Sequence, residues 1–145
     1  MRATRVYALV AGLVLLAAGL AGLLPPLVSP PLFRFDNVRI SLLYGDVAGV
    51  LPANVVRSAL HVVLGLWGLI ASWRSYPSAR TFGRWAVGIF GVLAAMGLFP
   101  ATSTAFGLMP LYGSNVWLHG AIALLGVVFG FALSPRRPAD DYIDY

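Results

Sequence analysis

Four long apolar runs divide the chain, and they limit its fold more than any other feature. A run of about 20 apolar residues is long enough to cross roughly 30 Å of hydrocarbon as a helix. The first, over 6–24, carries no charge and ends at Pro25-Pro26. The second, over 53–73, holds Arg57 and His61 in its first half. The third, over 82–99, ends at Pro100, and the fourth, over 116–133, is closed by Ser134-Pro135. Proline after three of the four marks a stop, because it cannot extend the ladder of backbone hydrogen bonds. The pattern predicts an all-α, integral membrane four-helix bundle of two hairpins. It is read as one domain over 1–134, followed by a tail over 135–145.

Composition agrees with this reading. Of the 145 residues 59% are hydrophobic and 10% charged, against about 25% charged in a typical soluble domain. Lys, Glu and Cys are absent, so neither a disulfide framework nor a thiolate metal site is available. The pI of 10.2 does not imply a nucleic-acid partner, because the arginines lie between apolar runs rather than on one basic face. The expected partner is the lipid bilayer. The first run follows Arg2 and Arg5 and so resembles a secretory signal, but its 19 apolar residues exceed the 7–15 or so of such a segment. It is read as a retained anchor.

Arginine distribution sets the expected direction. Arg2, Arg5, Arg74, Arg80, Arg84, Arg136 and Arg137 fall on one side, and Arg34, Arg39 and Arg57 on the other. The excess of basic residues marks the cytoplasmic face, which places both termini in the cytoplasm. Trp73, Tyr76 and Trp85 would form the aromatic belt on that side, with Tyr112 and Trp117 on the opposite one. The segment 27–52 is then extracytoplasmic. Within it, 40–51 is apolar but too short to span, and reads equally as an interfacial or re-entrant piece or as a surface hairpin.

Self-comparison aligns AGVLPANVVRSALH (48–61) with FGLMPLYGSNVWLH (106–119) without a gap, at an offset of 58 residues. Gly49 and Gly107, Pro52 and Pro110, and His61 and His119 coincide, as do Gly68 and Gly126 further on. A parallel internal repeat of this kind implies a pseudo-twofold axis along the membrane normal. It also sets the two histidines at similar depth.

Asn54, Arg57 and His61 share one face of the second helix, and Gly65, Gly68 and Ser72 continue down it. On the fourth helix, Asn115 and His119 are followed by Ala123, Gly126 and Gly130. Gly126-x-x-x-Gly130 has the spacing that allows close helix approach, as do Ala18-x-x-x-Gly22 and Gly91-x-x-x-Ala95. An ionisable residue inside a span is a functional candidate by default. In one reading His61 and His119 are neutral and hydrogen-bond across the bundle or to the outer segment, while Arg57 snorkels to the boundary. In the other, one imidazole is the axial ligand of a tetrapyrrole, chlorophyll or haem. Two histidines without a third ligand make a poor zinc site, and Arg57 one turn away disfavours a bound cation. Asp46 or Asp36 is the expected partner of Arg57. No paired carboxylates, nucleophile arrangement or phosphate-binding loop is present, so no catalytic or metal residue is assigned.

The string Asn54, Arg57, His61 and Gly65, followed by Gly113, Asn115, Leu118 and His119, resembles the bacterial membrane family known as domain of unknown function 4383. That family opens its second span with Asn-x-x-His-x-x-x-His-x-x-x-Gly and its fourth with Leu-His after a polar turn. Arg57 stands where the family pattern has its first histidine. The resemblance implies four spans in a bacterial inner or internal membrane and supplies no chemistry. The preferred expectation is a non-enzymatic accessory subunit packed against other integral membrane subunits. The alternatives are a tetrapyrrole-binding subunit of a photosynthetic or respiratory complex, using His61 or His119, and a small transporter or pore.

Overall fold

The computed structural model describes residues 2–32 and 37–133. Its helices are α1 (Arg2–Leu23), α2 (Val55–Arg74), α3 (Tyr76–Leu98) and α4 (Ser114–Val127), and a single π turn over Val128–Ala132 extends the last. The four candidate spans run 19–23 residues, about 30 Å at 1.5 Å per residue. α1 packs chiefly on α2 and α3 on α4, so the bundle is built of two hairpins.

Helix ends follow caps rather than the limits of the apolar runs. α3 begins at Tyr76, six residues before its run, because Ser75 caps it by accepting a hydrogen bond from Ser78 N and Pro77 fits the first turn. Ser75 alone separates α2 from α3. α1 reaches back to Arg2, and α2 starts at Val55 because the two preceding positions of the run are used elsewhere. There, β1 (Val28–Ser29), β2 (Gly45–Val47) and β3 (Leu51–Ala53) form a three-stranded antiparallel sheet in that order. The 40–51 segment therefore contributes a hairpin, turned by Ala48 and Gly49 in left-handed conformations. Gly45 pairs with Ala53 and Val47 with Leu51. This small sheet caps one end of an otherwise all-α molecule.

Small residues bring the helices together. A Cβ on Gly12 would lie 2.8 Å from Leu69 N and 2.9 Å from Gly65 O, and one on Gly68 would lie 2.9 Å from Gly12 Cα. On the other hairpin, a Cβ on Gly126 would lie 2.8 Å from Gly83 O, and one on Gly130 would lie 2.9 Å from Arg84 N. Gly65, Gly68, Gly126 and Gly130 are thus all at close helix contacts. Gly91 is not: nothing approaches its open side, so the Gly91-x-x-x-Ala95 spacing marks no packing seam, and α3 uses Gly83 instead. Leu15, Leu64, Phe90, Leu93, Leu111 and Ile122 form the main apolar core.

Opposite the sheet, the arginines act as caps. Arg5 donates from Nε to Ser72 O (2.7 Å) and from Nη2 to Trp73 O (3.2 Å), covering the last carbonyls of α2. Arg80 and Arg84 both donate to Gly130 O at 3.1 Å, at the π turn. Cations at the negative end of a helix are favourable, and the final carbonyls lack intrahelical partners. Trp73 and Trp85 at this end and Trp117 at the other are 71%, 60% and 80% exposed, as a lipid-facing belt requires. Tyr112 is not part of that belt. It is buried, and its hydroxyl meets that of Tyr44 at 2.6 Å. Burial, and then the Tyr44 contact, push its phenol pKa up. Of the tail, only its flanking residues up to Leu133 are described, so Arg136 and Arg137 lie outside the described residues.

Gly12→Leu drives a side chain into the α2 backbone and should destabilise the protein by about 1–3 kcal/mol, the usual cost of overpacking. Gly91→Leu should leave stability within about 0.5 kcal/mol. Thermal unfolding of the two variants in the same detergent checks this.

Candidate functional site

The N-termini of α2 and α4 come together beneath the sheet, and each is fastened by an asparagine. Asn54 caps α2: its Oδ1 accepts from Arg57 N (3.0 Å), while Nδ2 donates to Ile40 O (3.0 Å) and Leu108 O (2.8 Å). Asn115, in the first turn of α4, donates from Nδ2 to Pro52 O (2.7 Å) and Pro110 O (3.1 Å). Both segments that cross the sheet end are thereby tied to the helices, and both asparagines are fully buried.

One turn further in, Arg57 and His61 on α2 face Asn115 and His119 on α4, each pair spaced i to i+4. His61 Nε2 and His119 Nε2 are 3.1 Å apart, which is hydrogen-bonding distance. The rings are nearly perpendicular, at 75° with centroids 5.4 Å apart. Phe90 of α3 closes the site from the side, 5.4 Å from the His119 ring and 6.3 Å from the His61 ring. All four polar side chains are inaccessible to solvent.

The contact fixes what each imidazole can do. A neutral imidazole has one donor and one acceptor nitrogen. If one Nε2 carries the shared proton, its own Nδ1 is a bare acceptor, whereas the partner must carry its proton on Nδ1. Neither Nδ1 has a partner among the described residues. Nor have Arg57 Nε, Nη1 and Nη2, Ser58 Oγ or Asn115 Oδ1. These unmatched hydrogen-bonding groups all belong to side chains closed off from the surface.

Three expectations change here. Arg57 does not snorkel to the boundary, since it is wholly buried; its place in the first turn of α2 turns it into the bundle. Asp46 is not its partner, because the Asp46 carboxylate accepts from Leu32 N at 2.7 Å within the sheet. Asp36 lies outside the described residues. Both Nε2 atoms, the nitrogens that would bind an axial position, are engaged with each other, so neither His61 nor His119 has it free for a tetrapyrrole in this arrangement. No group of three His, Asp or Glu side chains comes together among the described residues.

Sequence reasoning put the histidines at one depth and had them hydrogen-bond across the bundle or to the outer segment, without naming them as each other's partner. The 58-residue offset was the signal that pointed to it. It missed Asn54 and Asn115 as clamps on backbone carbonyls, because their acceptors lie in segments without periodicity.

The model of the family described as domain of unknown function (DUF4383) matches residues 5–132, which takes in all four helices and the sheet. No curated protein and no solved structure matches the chain.

A double-mutant cycle tests the imidazole contact. Either His61→Leu or His119→Leu leaves the other ring buried without its partner, whereas the double replacement removes both polar groups. The double variant should be more stable than the sum of the single effects predicts, by roughly 0.5–2 kcal/mol. Thermal unfolding in detergent measures the coupling, and strict additivity would contradict the contact.

Proposed function

The chain belongs to the DUF4383 family, and on that footing we propose that it is a non-enzymatic accessory subunit of a bacterial cytoplasmic or internal membrane. In this reading it packs against a larger integral membrane protein, with both termini in the cytoplasm. The observation that carries the proposal is a groove of about 410 Å³ along the seam of α1 and α4. It is lined by the buried Tyr7, Ala11 and Ile122 together with Val6, Val10, Val14 and Leu125. An apolar groove between two spans suits a neighbouring helix, since helices in lipid associate by packing the ridges of one into the grooves of the other. A duplicated ancestry of the two hairpins agrees with the meeting of His61 and His119, and with Asn115 bonding the carbonyls of both Pro52 and Pro110.

Gentle extraction at native expression level, followed by native electrophoresis and mass spectrometry, tests the subunit reading. The chain should migrate within a larger assembly. Ala121→Trp, which fills the groove from an exposed position, should release it without lowering its own unfolding temperature. Migration of the unaltered chain alone, at about its own mass, contradicts the proposal. The absence of cysteine makes direction easy to test. In intact cells, a cysteine at Thr102 should react with an impermeant maleimide and one at Ser78 should not.

A further inference from the structure

The four side chains beneath the sheet carry a charge that no described residue balances. Arg57 is fully buried, and none of its three guanidinium nitrogens has a hydrogen-bond partner among the described residues. It stands three residues past the Asn54 cap, at the positive end of α2, where a cation is unfavourable. The first turn of α4, with Asn115, brings a second helix N-terminus to the same place. Among the described residues Asp46 is the only acidic side chain, and it is engaged with Leu32 N.

A buried, unpaired charge is among the costliest features a fold can carry, and it persists where something compensates it. The unmatched groups define the compensator. The guanidinium fork and one imidazole Nδ1–H are donors; the acceptors left over are Asn115 Oδ1 and the other imidazole Nδ1. Donors outnumber acceptors, and the net charge is positive. A cation would meet Arg57, and a neutral donor would add to the surplus. What fits is a small species that only accepts hydrogen bonds and carries negative charge.

We propose that Arg57, with the His61–His119 pair, holds a monovalent inorganic anion of halide size beneath the sheet. The anion neutralises the guanidinium and takes the donors left over by the imidazole contact, so that the N-terminal turns of α2 and α4 are held together by it. Arg57 supplies a charge of its own at neutral pH, so anion binding does not depend on imidazole protonation.

The test uses the full-length protein in lipid nanodiscs, at matched ionic strength, with sodium chloride, bromide or gluconate. Gluconate is too large to enter an enclosed site. Chloride and bromide should raise the unfolding temperature by several degrees in a saturable way relative to gluconate, as expected for a ligand that binds only the folded state. Arg57→Met should abolish that difference. Crystals of the unaltered protein grown in bromide should show an anomalous peak within hydrogen-bonding distance of the Arg57 guanidinium, so the proposal is tested even if the variant does not fold. Equal unfolding temperatures in the three salts, a halide effect that persists in Arg57→Met, or water instead of bromide beside Arg57 would each overturn it. So would an Asp36 carboxylate found against the guanidinium.

Discussion

The hydrogen bond between His61 and His119 holds the two hairpins together at the point where the bundle is most polar. Within hydrocarbon no water is available to complete a hydrogen-bonding shell, so each polar group in a span is partnered internally or carries a free-energy cost. His61 lies about two turns past Asn54 on α2, and His119 about one turn past Asn115 on α4. Because the histidines meet, the asparagines above them are brought over the carbonyls of Ile40, Pro52, Leu108 and Pro110. The small sheet then rests on a level that the helices have already set.

The two ends of the molecule solve the problem of helix termini in opposite ways. At the sheet end, side-chain amides cap amides and tie down carbonyls from the crossing segments. At the other, arginines cap the final carbonyls of α2 and α4. Arg5, Arg80 and Arg84 thus cover helix carbonyls that have no intrahelical partner. Arg57 stands apart from them: it is at a helix N-terminus, it is buried, and no described side chain answers its charge.

The spans were legible because length and apolarity alone decide them. The start of α3 was not, because the polar stretch YPSART is helical through the Ser75 cap and Pro77 rather than through its hydrophobicity. The shared face of Asn54, Arg57 and His61 could be read from helical spacing. Its consequence could not, since whether Arg57 turns outward to the interface or inward depends on the tertiary position of α4. Pairing Arg57 with Asp46 was a charge argument made without the sheet, whose register gives the Asp46 carboxylate to Leu32 N. Small-residue spacing was informative where a second helix crosses it, as at Gly126 and Gly130, and misleading at Gly91, where none does.

The shared proton between the imidazoles can be observed directly. In protein labelled with ¹⁵N at histidine and reconstituted in lipid bilayers, solid-state NMR should show a through-hydrogen-bond coupling between the Nε2 atoms of His61 and His119. One ring should appear as the Nε2–H tautomer and the other as the Nδ1–H tautomer. Two uncoupled rings with the same tautomer would contradict the arrangement on which the site rests.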